Sequence, residues 1–447
     1  MKILEDKTIC AISTPIGNGG ISIVRMSGSQ SKSILQKITK FDTSKMEPRK
    51  LYLAKVHTPN FDEQALLVFF ASPNSYTGED MVEIQCHGGI VIANGILKTL
   101  LSCGATQAEA GEFSKRAFVN GKMSLDNAEG VIDMINAQSE QAVKAGFDLL
   151  SGKLREKVQE VQSALTTCQA KIEVAIDYPE EDIAKSTALE VKNNVLDAKQ
   201  KIDALLKTVA TGKLVKNGIN ILILGKPNAG KSSLLNALLG YDRAIVSNIA
   251  GTTRDTVEES FVFENMTFNL IDTAGIRDAD NLVEKIGIDR AKNNIKSADI
   301  VLFVLDASKP IEDEDKQILQ LVKDKIVIFV INKADIKKTN FEFENQIEVS
   351  ALTGKNIDAL KQKIFDMVVD KNMLNGGLVI TNARHADDLT KASQFLQNAI
   401  DALDSAVPLD LLVTDIKSAW IKLGEITGET SNEAIINTIF EKFCVGK

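Results

Sequence analysis

One octapeptide constrains this chain more than any other feature: Gly225-Lys226-Pro227-Asn228-Ala229-Gly230-Lys231-Ser232. It has the phosphate-loop spacing G-x-x-x-x-G-K-S. The apolar run Ile219–Leu224 before it reads as a strand, and Ser233–Leu239 after it reads as a helix. Glycines in such a loop let backbone N–H groups close on phosphate oxygens. Lys231 is placed to reach the β- and γ-phosphates and Ser232 to hold Mg²⁺. The loop therefore commits this part of the chain to a strand–loop–helix α/β domain that binds a nucleotide.

Three further elements follow in order. Asp272-Thr273-Ala274-Gly275 comes after the apolar run Phe268–Ile271. Asp272 suits Mg²⁺ through water, and the Gly275 N–H suits a γ-phosphate, coupling the next segment to nucleotide state. Asn332-Lys333-Ala334-Asp335 comes after the run Ile326–Ile331. Guanine presents adjacent N1–H and N2–H₂ donors that one carboxylate accepts together, whereas adenine lacks both, so Asp335 selects GTP over ATP. Ser350-Ala351-Leu352 fits the loop that supports the base, and Thr252 and Thr253 fit a switch that closes over Mg²⁺. The set predicts a Ras-like GTP hydrolase domain over residues 217–371. Many Ras-like proteins place a water-positioning Gln directly after the Asp-x-x-Gly motif; here that residue is Ile276, which cannot hydrogen-bond a water. Asn228, with the threonine-rich switch nearby, is a candidate ligand for a monovalent cation that would offset developing charge. Glu284 is either the acid that orients the attacking water or a solvated surface acid; spacing alone favours the second.

With 447 residues the chain exceeds one ordinary core. Before residue 122, short candidate strands (Thr8–Thr14, Gly20–Gly28, Lys50–His57, Ala65–Ser72, Met81–Gly89) surround a helical stretch, Ile90–Leu101. They read as a small α+β domain, residues 1–121. Beyond it Leu154, Val158, Val161, Leu165, Cys168, Ile172 and Ala175 alternate spacings of four and three, as do Val191, Val195, Ala198, Ile202, Leu205 and Val209. These are long amphipathic helices, broken at Tyr178-Pro179. The same rhythm returns after the α/β segment in Leu389, Ala392, Leu396, Ala399 and Leu403 and again in Leu412, Ile416, Ala419, Leu423 and Ile426. The expected architecture is multidomain: an α+β N-terminal domain, a helical domain in two parts (122–216 and 372–447), and the P-loop GTPase domain inserted between them. The open apolar face of the first helical part favours insertion over two separate flanking segments.

A net charge of −8 argues against a broad basic surface for non-specific nucleic-acid binding, although a local basic groove stays open. Five scattered cysteines and three histidines, with no C-x-x-C pair, argue against a disulfide framework and structural zinc. Apolar runs are too short to span a bilayer, and acids stand where a signal peptide needs an apolar run, so the expected location is cytoplasmic, away from membranes.

The blocks GKPNAGKSSLLN, IAGTTRD, LIDTAGIRD and NKAD, with PIGNGGISIVRMSG, SYTGEDMVEIQCHGG, GEFSKRAFVNGKMSLDNAEG and the terminal FCVGK, closely resemble the MnmE (TrmE) family of tRNA-modification GTPases. The resemblance covers essentially the whole chain. The GTPase motifs are shared with other Era-like GTPases; the N-terminal blocks and FCVGK are specific. It implies a homodimeric, potassium-activated GTP hydrolase. Such a protein acts with an FAD-dependent partner, MnmG (GidA), in a heterotetramer or larger complex. Together they install an aminomethyl-type group at C5 of the tRNA wobble uridine, with 5-formyltetrahydrofolate or a related folate as one-carbon donor. The matching GTP-contact positions are Asn228, Ala229, Gly230, Lys231, Ser232, Ser233, Ser247, Asn248, Ile249, Ala250, Gly251, Thr252, Thr253, Asp272, Thr273, Ala274, Gly275, Asn332, Lys333, Asp335, Ser350, Ala351 and Leu352. Ser232 and Thr253 match Mg²⁺ ligands; Asn228, Ser247, Ile249 and Thr252 match the potassium loop; Arg25, Glu83, Lys122 and Lys447 match folate contacts. Glu284 matches the catalytic acid, which reverses the reading from spacing. Ser247 replaces a Thr, and Val445 stands where Ile is common.

Without the resemblance these outer residues say less. Arg25 and Lys122 are cations in Gly-flanked segments, either ordinary surface charges or binders of a carboxylated ligand. Cys444 is either a packed, inert thiol or, beside Lys442 and Lys447, a reactive one of lowered pKa. The last four residues fit C-a-a-X formally, but Gly446 and the final Lys argue against prenylation. Cys86-His87 has no third ligand in view and reads as a buried strand end. Two functions of different class follow: a tRNA-modifying enzyme driven by GTP hydrolysis, or an RNA-binding assembly switch of Era type. The second expects a basic RNA-binding domain beside the GTPase, against which the acidic balance counts.

Overall fold

The computed structural model of the chain describes residues 7–178, 181–240, 257–271, 294–336, 340–375, 377–405 and 407–447. The chain divides into two compact units. One comprises Met1–Ile132, Leu149–Val191 and Asp401–Lys447, the other Asp133–Asp148 and Lys192–Ile400.

The first unit holds a six-stranded sheet of β1 (Ile9–Ile12), β2 (Ile21–Ser27), β3 (Leu51–His57), β4 (Asp62–Phe70), β5 (Met81–His87) and β6 (Thr106–Gln107). Their spatial order is β3-β4-β5-β2-β1-β6, antiparallel except for the parallel β1/β6 pair. All five strands read from the sequence are present, with β4 starting three residues earlier than its apolar run. Alternate residues of β2 (Val24, Met26) and β5 (Val82, Ile84, Cys86) turn to one face. There they meet Ile34, Leu35 and Ile38 of the helix Ser31–Ile38 and Ile96 and Leu100 of the helix Ile90–Ser102. This face is the core of the N-terminal domain.

The helix Lys153–Asp177 buries Leu154, Val158, Val161, Leu165, Cys168, Ile172 and Ala175, every position of its four/three rhythm. It packs against the helix Leu409–Thr427, whose Leu412, Ile416, Ala419, Leu423 and Ile426 are buried, and Gln162 Nε2 donates to the Trp420 carbonyl at 3.2 Å. Helical segments on either side of the α/β insert thus close one core, as the open apolar stripe required. The last helix, Glu433–Phe440, is capped by Asn432, whose side chain accepts from the Ile435 N–H, and rests on Leu125 and Ala128.

The second unit carries the P-loop domain. Its sheet has the order β12-β11-β10-β7-β9-β8, from β7 (Ile219–Leu224), β8 (Val257–Phe263), β9 (Met266–Ile271), β10 (Ile300–Asp306), β11 (Ile326–Asn332) and β12 (Gln346–Glu348). All pairs are parallel except β8/β9. Every residue of β9 and β10 is buried, and β10 has the near-continuous apolar pattern of a strand covered on both faces. The β8–β9 hairpin turns on Glu264 and Asn265, both at positive φ (48° and 58°), as a two-residue hairpin of this twist demands. The helix segments within 192–206 and 383–400 also belong to this unit, joined by a 2.7 Å bond from Ser393 Oγ to Asp203 Oδ1.

Candidate functional site

β7 lies between β10 and β9, and the loop that leaves its carboxyl end is the phosphate loop. Parallel sheets of this kind bind ligands at the carboxyl ends of their strands. Gly225 takes φ +147°, and a Cβ there would stand 2.4 Å from the Val304 carbonyl oxygen. Gly230 takes φ +94°, and a Cβ there would stand 2.1 Å from Asn332 Nδ2. Between them Asn228 holds φ +62° without being glycine. The helix Lys231–Leu239 begins directly after Gly230 and directs its N-terminal N–H groups at the loop. Lys231 Nζ donates to the carbonyls of Gly225 (2.9 Å) and Lys226 (2.7 Å), so the ammonium is held in the curl of the loop. Burial lowers its pKa from the usual lysine value. Ala229 is buried, whereas Asn228, Ser232 and Ser233 are exposed.

The guanine motif sits at the end of β11, two strands from β7. Asn332 is buried; its Nδ2 donates to the Ala229 carbonyl at 3.0 Å and its Oδ1 accepts from the Ala351 N–H at 3.0 Å. One amide therefore joins the phosphate loop to the base loop. Lys333, at φ +64°, sends Nζ to the Asn228 carbonyl at 3.0 Å. Asp335 is exposed, and a hydrogen bond from the Ser350 side chain, helped by its own backbone, holds its carboxyl below the usual range. Ser350 is buried and Leu352 exposed. The structure thus brings together Asn228 to Ser233, Asn332, Lys333, Asp335, Ser350 and Ala351. Ser247, Asn248, Ile249, Ala250, Gly251, Thr252, Thr253, Asp272, Thr273, Ala274, Gly275, Ile276 and Glu284 lie outside the described residues.

Two ion-pair arrangements at this site had no motif to announce them, although Lys226 itself is a variable position of the phosphate loop. Lys226 Nζ stands 2.7 Å from both Asp315 and Glu312 at the start of the helix Asp313–Leu321. Burial works against its charge, yet the two acids outweigh it and raise its pKa. Asp306 closes β10 beneath the loop. Burial would push its carboxyl up, but bonds from Lys333 and Ser308 reverse this and bring it down to about 2. The only signal in the sequence is the first polar residue after an apolar run, followed two positions later by serine.

A second cluster forms on the N-terminal sheet. Arg25 on β2 and Glu83 on β5 are direct cross-strand partners, and Arg25 Nη2 lies 2.8 Å from Glu83 Oε1. The guanidinium also stands over the rings of Tyr76 (5.6 Å) and Phe113 (5.8 Å). The chain's last residues reach this spot: Val445 bridges to Ala110, the Gly446 carbonyl accepts from Ser13 Oγ at 2.9 Å and from Arg25 Nη1 at 3.4 Å. Burial and then the nearby Arg25 charge lower the Lys447 ammonium below its usual range. Cys444 is exposed. Lys122 is exposed, and its stem passes beside Gly78. Arg25, Glu83 and Lys447 are therefore gathered in one place, and nothing described joins Lys122 to them. Cys86 is buried, and burial pushes its thiol up to about 11; His87 Nδ1 engages Glu63 at 2.6 Å. That pair is a strand end, as expected.

A phosphate loop leaving β7, bonded through Asn332 and Lys333 to the Asn-Lys-Ala-Asp motif at the end of β11, is the arrangement of a P-loop GTPase. The models of the GTP-binding protein TrmE N-terminus and of the MnmE helical domain match residues 8–122 and 125–444. Curated relatives called tRNA modification GTPase MnmE are 42% identical in Clostridioides difficile (99% of both chains covered), in Lactobacillus gasseri (98% of both) and in Desulforamulus reducens (99% of this chain, 100% of that one). The chain belongs to the MnmE family of tRNA modification GTPases. It is a GTP hydrolase of tRNA modification, and no helix among the described residues is long and apolar enough to cross a membrane.

Proposed function

We propose that this protein is a potassium-activated GTP hydrolase. It works in the cytoplasm as a homodimer with an FAD-dependent MnmG (GidA) protein. Together they add an aminomethyl-type group to C5 of the tRNA wobble uridine, using 5-formyltetrahydrofolate or a related folate. The division of labour follows the segments read from the sequence: 1–121 for folate and dimerisation, 217–371 for GTP, and the helical parts 122–216 and 372–447 between them.

The observation that carries this reading is the meeting of Arg25, Glu83 and Lys447 on the N-terminal sheet, remote in sequence from every GTPase motif. A cationic cluster beside two aromatic rings suits a flat, carboxylated ligand such as a folate. Lys122 is the further proposed contact. Cys444 beside them is the proposed general acid or nucleophile.

At the nucleotide, the serine and threonine hydroxyls of Ser232 and Thr253 are hard oxygen donors of the kind Mg²⁺ takes. Asn228 stands exposed at the loop tip with an amide oxygen to offer K⁺; Ser247, Ile249 and Thr252 complete that proposed site. K⁺ there supplies positive charge to the developing γ-phosphate charge. Glu284 orients the water, since Ile276 cannot. Hydrolysis measured at constant ionic strength should be at least about tenfold faster in K⁺ than in Na⁺, and Glu284→Ala should lose turnover with GTP affinity near wild type. Equal rates in the two salts, or normal turnover by Glu284→Ala, would remove the cation or the acid from the mechanism.

A further inference from the structure

Asp306 is the last residue of β10, the strand between β7 and β11. Its carboxylate is held from two directions. Oδ1 accepts from the Ser308 N–H at 2.9 Å and from Ser308 Oγ at 2.6 Å, a local turn that fixes the group whatever else is near. Oδ2 accepts from Lys333 Nζ at 2.6 Å. Lys333 passes its second bond to the Asn228 carbonyl at 3.0 Å. Directly beside this, the Ala307 N–H donates to the Asn332 carbonyl at 2.9 Å.

We infer that Asp306 is a positioning residue of the GTP site: it anchors Lys333 so that the guanine motif and the phosphate loop at Asn228 move as one body. The reasoning is one of hierarchy. Lysine is the flexible partner, with four rotatable bonds to immobilise when fixed. The carboxylate is preset by its own turn, so it is the lysine that gets placed. Lys333 in turn supports a carbonyl in a loop residue that adopts a left-handed backbone without being glycine. Without the anchor, Lys333 would keep only its bond to the Asn228 carbonyl, leaving the Asn332 amide as the remaining firm link between the guanine motif and the phosphate loop.

Release of a fluorescent GDP analogue by stopped flow tests this in the full chain. Asp306→Asn keeps the volume and an acceptor for Ser308 but removes the charge. It should release GDP at least about tenfold faster than wild type, the loss expected of a charge-assisted bond. Lys333→Met should be faster still, and the double variant no faster than Lys333→Met alone, because the two act in series. Additive effects in the double variant, or wild-type release by Asp306→Asn, would overturn the inference. A residue that merely steadied the strand end would shift melting temperature without this coupling. If Asp306→Asn fails to fold, Ser308→Ala serves in its place, since it loosens the carboxylate and leaves the ion pair intact. It should speed release by about two- to fivefold only while Lys333 is present; the same speeding in the Lys333→Met background, or none at all, counts against Asp306.

Discussion

Asp335 is exposed, ionised and aimed by Ser350, which suits its proposed contact with guanine's adjacent N1–H and N2–H₂ donors. An amide in its place would offer one acceptor and one donor, leaving a guanine donor facing an N–H. Asp335→Asn should therefore bind GTP on the order of a hundredfold more weakly and gain affinity for xanthine nucleotides, whose C2 oxygen accepts. Competition between GTP, XTP and ATP for the fluorescent GDP site would read this out, and unchanged GTP preference would contradict it. Motif spacing made Asp335, Lys231 and Asn332 legible because each stands at a fixed offset within a short contiguous motif. The ion pairs of Asp306 and Lys226 were not legible. Their partners, Lys333 and Asp315, are supplied by other strands and helices, and one acid among 60 acidic residues carries no mark of its own.

Elements were read well wherever one periodicity ran long enough. The helices Lys153–Asp177 and Leu409–Thr427 followed from their four/three spacing, and β7 and β11 from their apolar runs. Ser31–Ile38, Glu112–Val119 and the two-residue β6 escaped because eight residues or fewer give barely two turns of pattern. The bridge between Val445 and Ala110 escaped for another reason, since pairing across hundreds of residues leaves no local trace. That bridge depends on Gly446, whose φ is +96° and whose added Cβ would stand 2.2 Å from the Ile12 carbonyl oxygen. Gly446→Ala should weaken docking of the tail by about 1–3 kcal/mol. Hydrogen exchange should then quicken at the backbone N–H of Thr106 and Ala108, which flank this edge, while Lys231–Leu239 stays protected. Unchanged exchange at the edge would mean that the tail is held by its side chains instead.

At the scale of the whole molecule, hydrolysis and the cluster on the N-terminal sheet belong to different compact units. Their activities should separate by mutation. Cys444→Ser should keep GTP hydrolysis within about twofold of wild type yet lower wobble-uridine modification at least about tenfold, because serine is a poorer acid and nucleophile at neutral pH. The assay combines the protein with an FAD-bound MnmG-type partner, folate, GTP, K⁺ and unmodified tRNA, read by nucleoside mass spectrometry. Full modification by Cys444→Ser would leave the thiol without a chemical role. The order of the segments has a consequence for synthesis. A chain emerging from the ribosome presents its first sheet early, and early domains ordinarily fold early. Here the unit that begins first needs Asp401–Lys447 to be whole, so it waits for the entire nucleotide domain to emerge. The partner for Ser13 is Gly446, 433 residues away. The N-terminal sheet, made before the nucleotide domain, is thus completed after it, and until then Ala110 lacks its bridge to Val445.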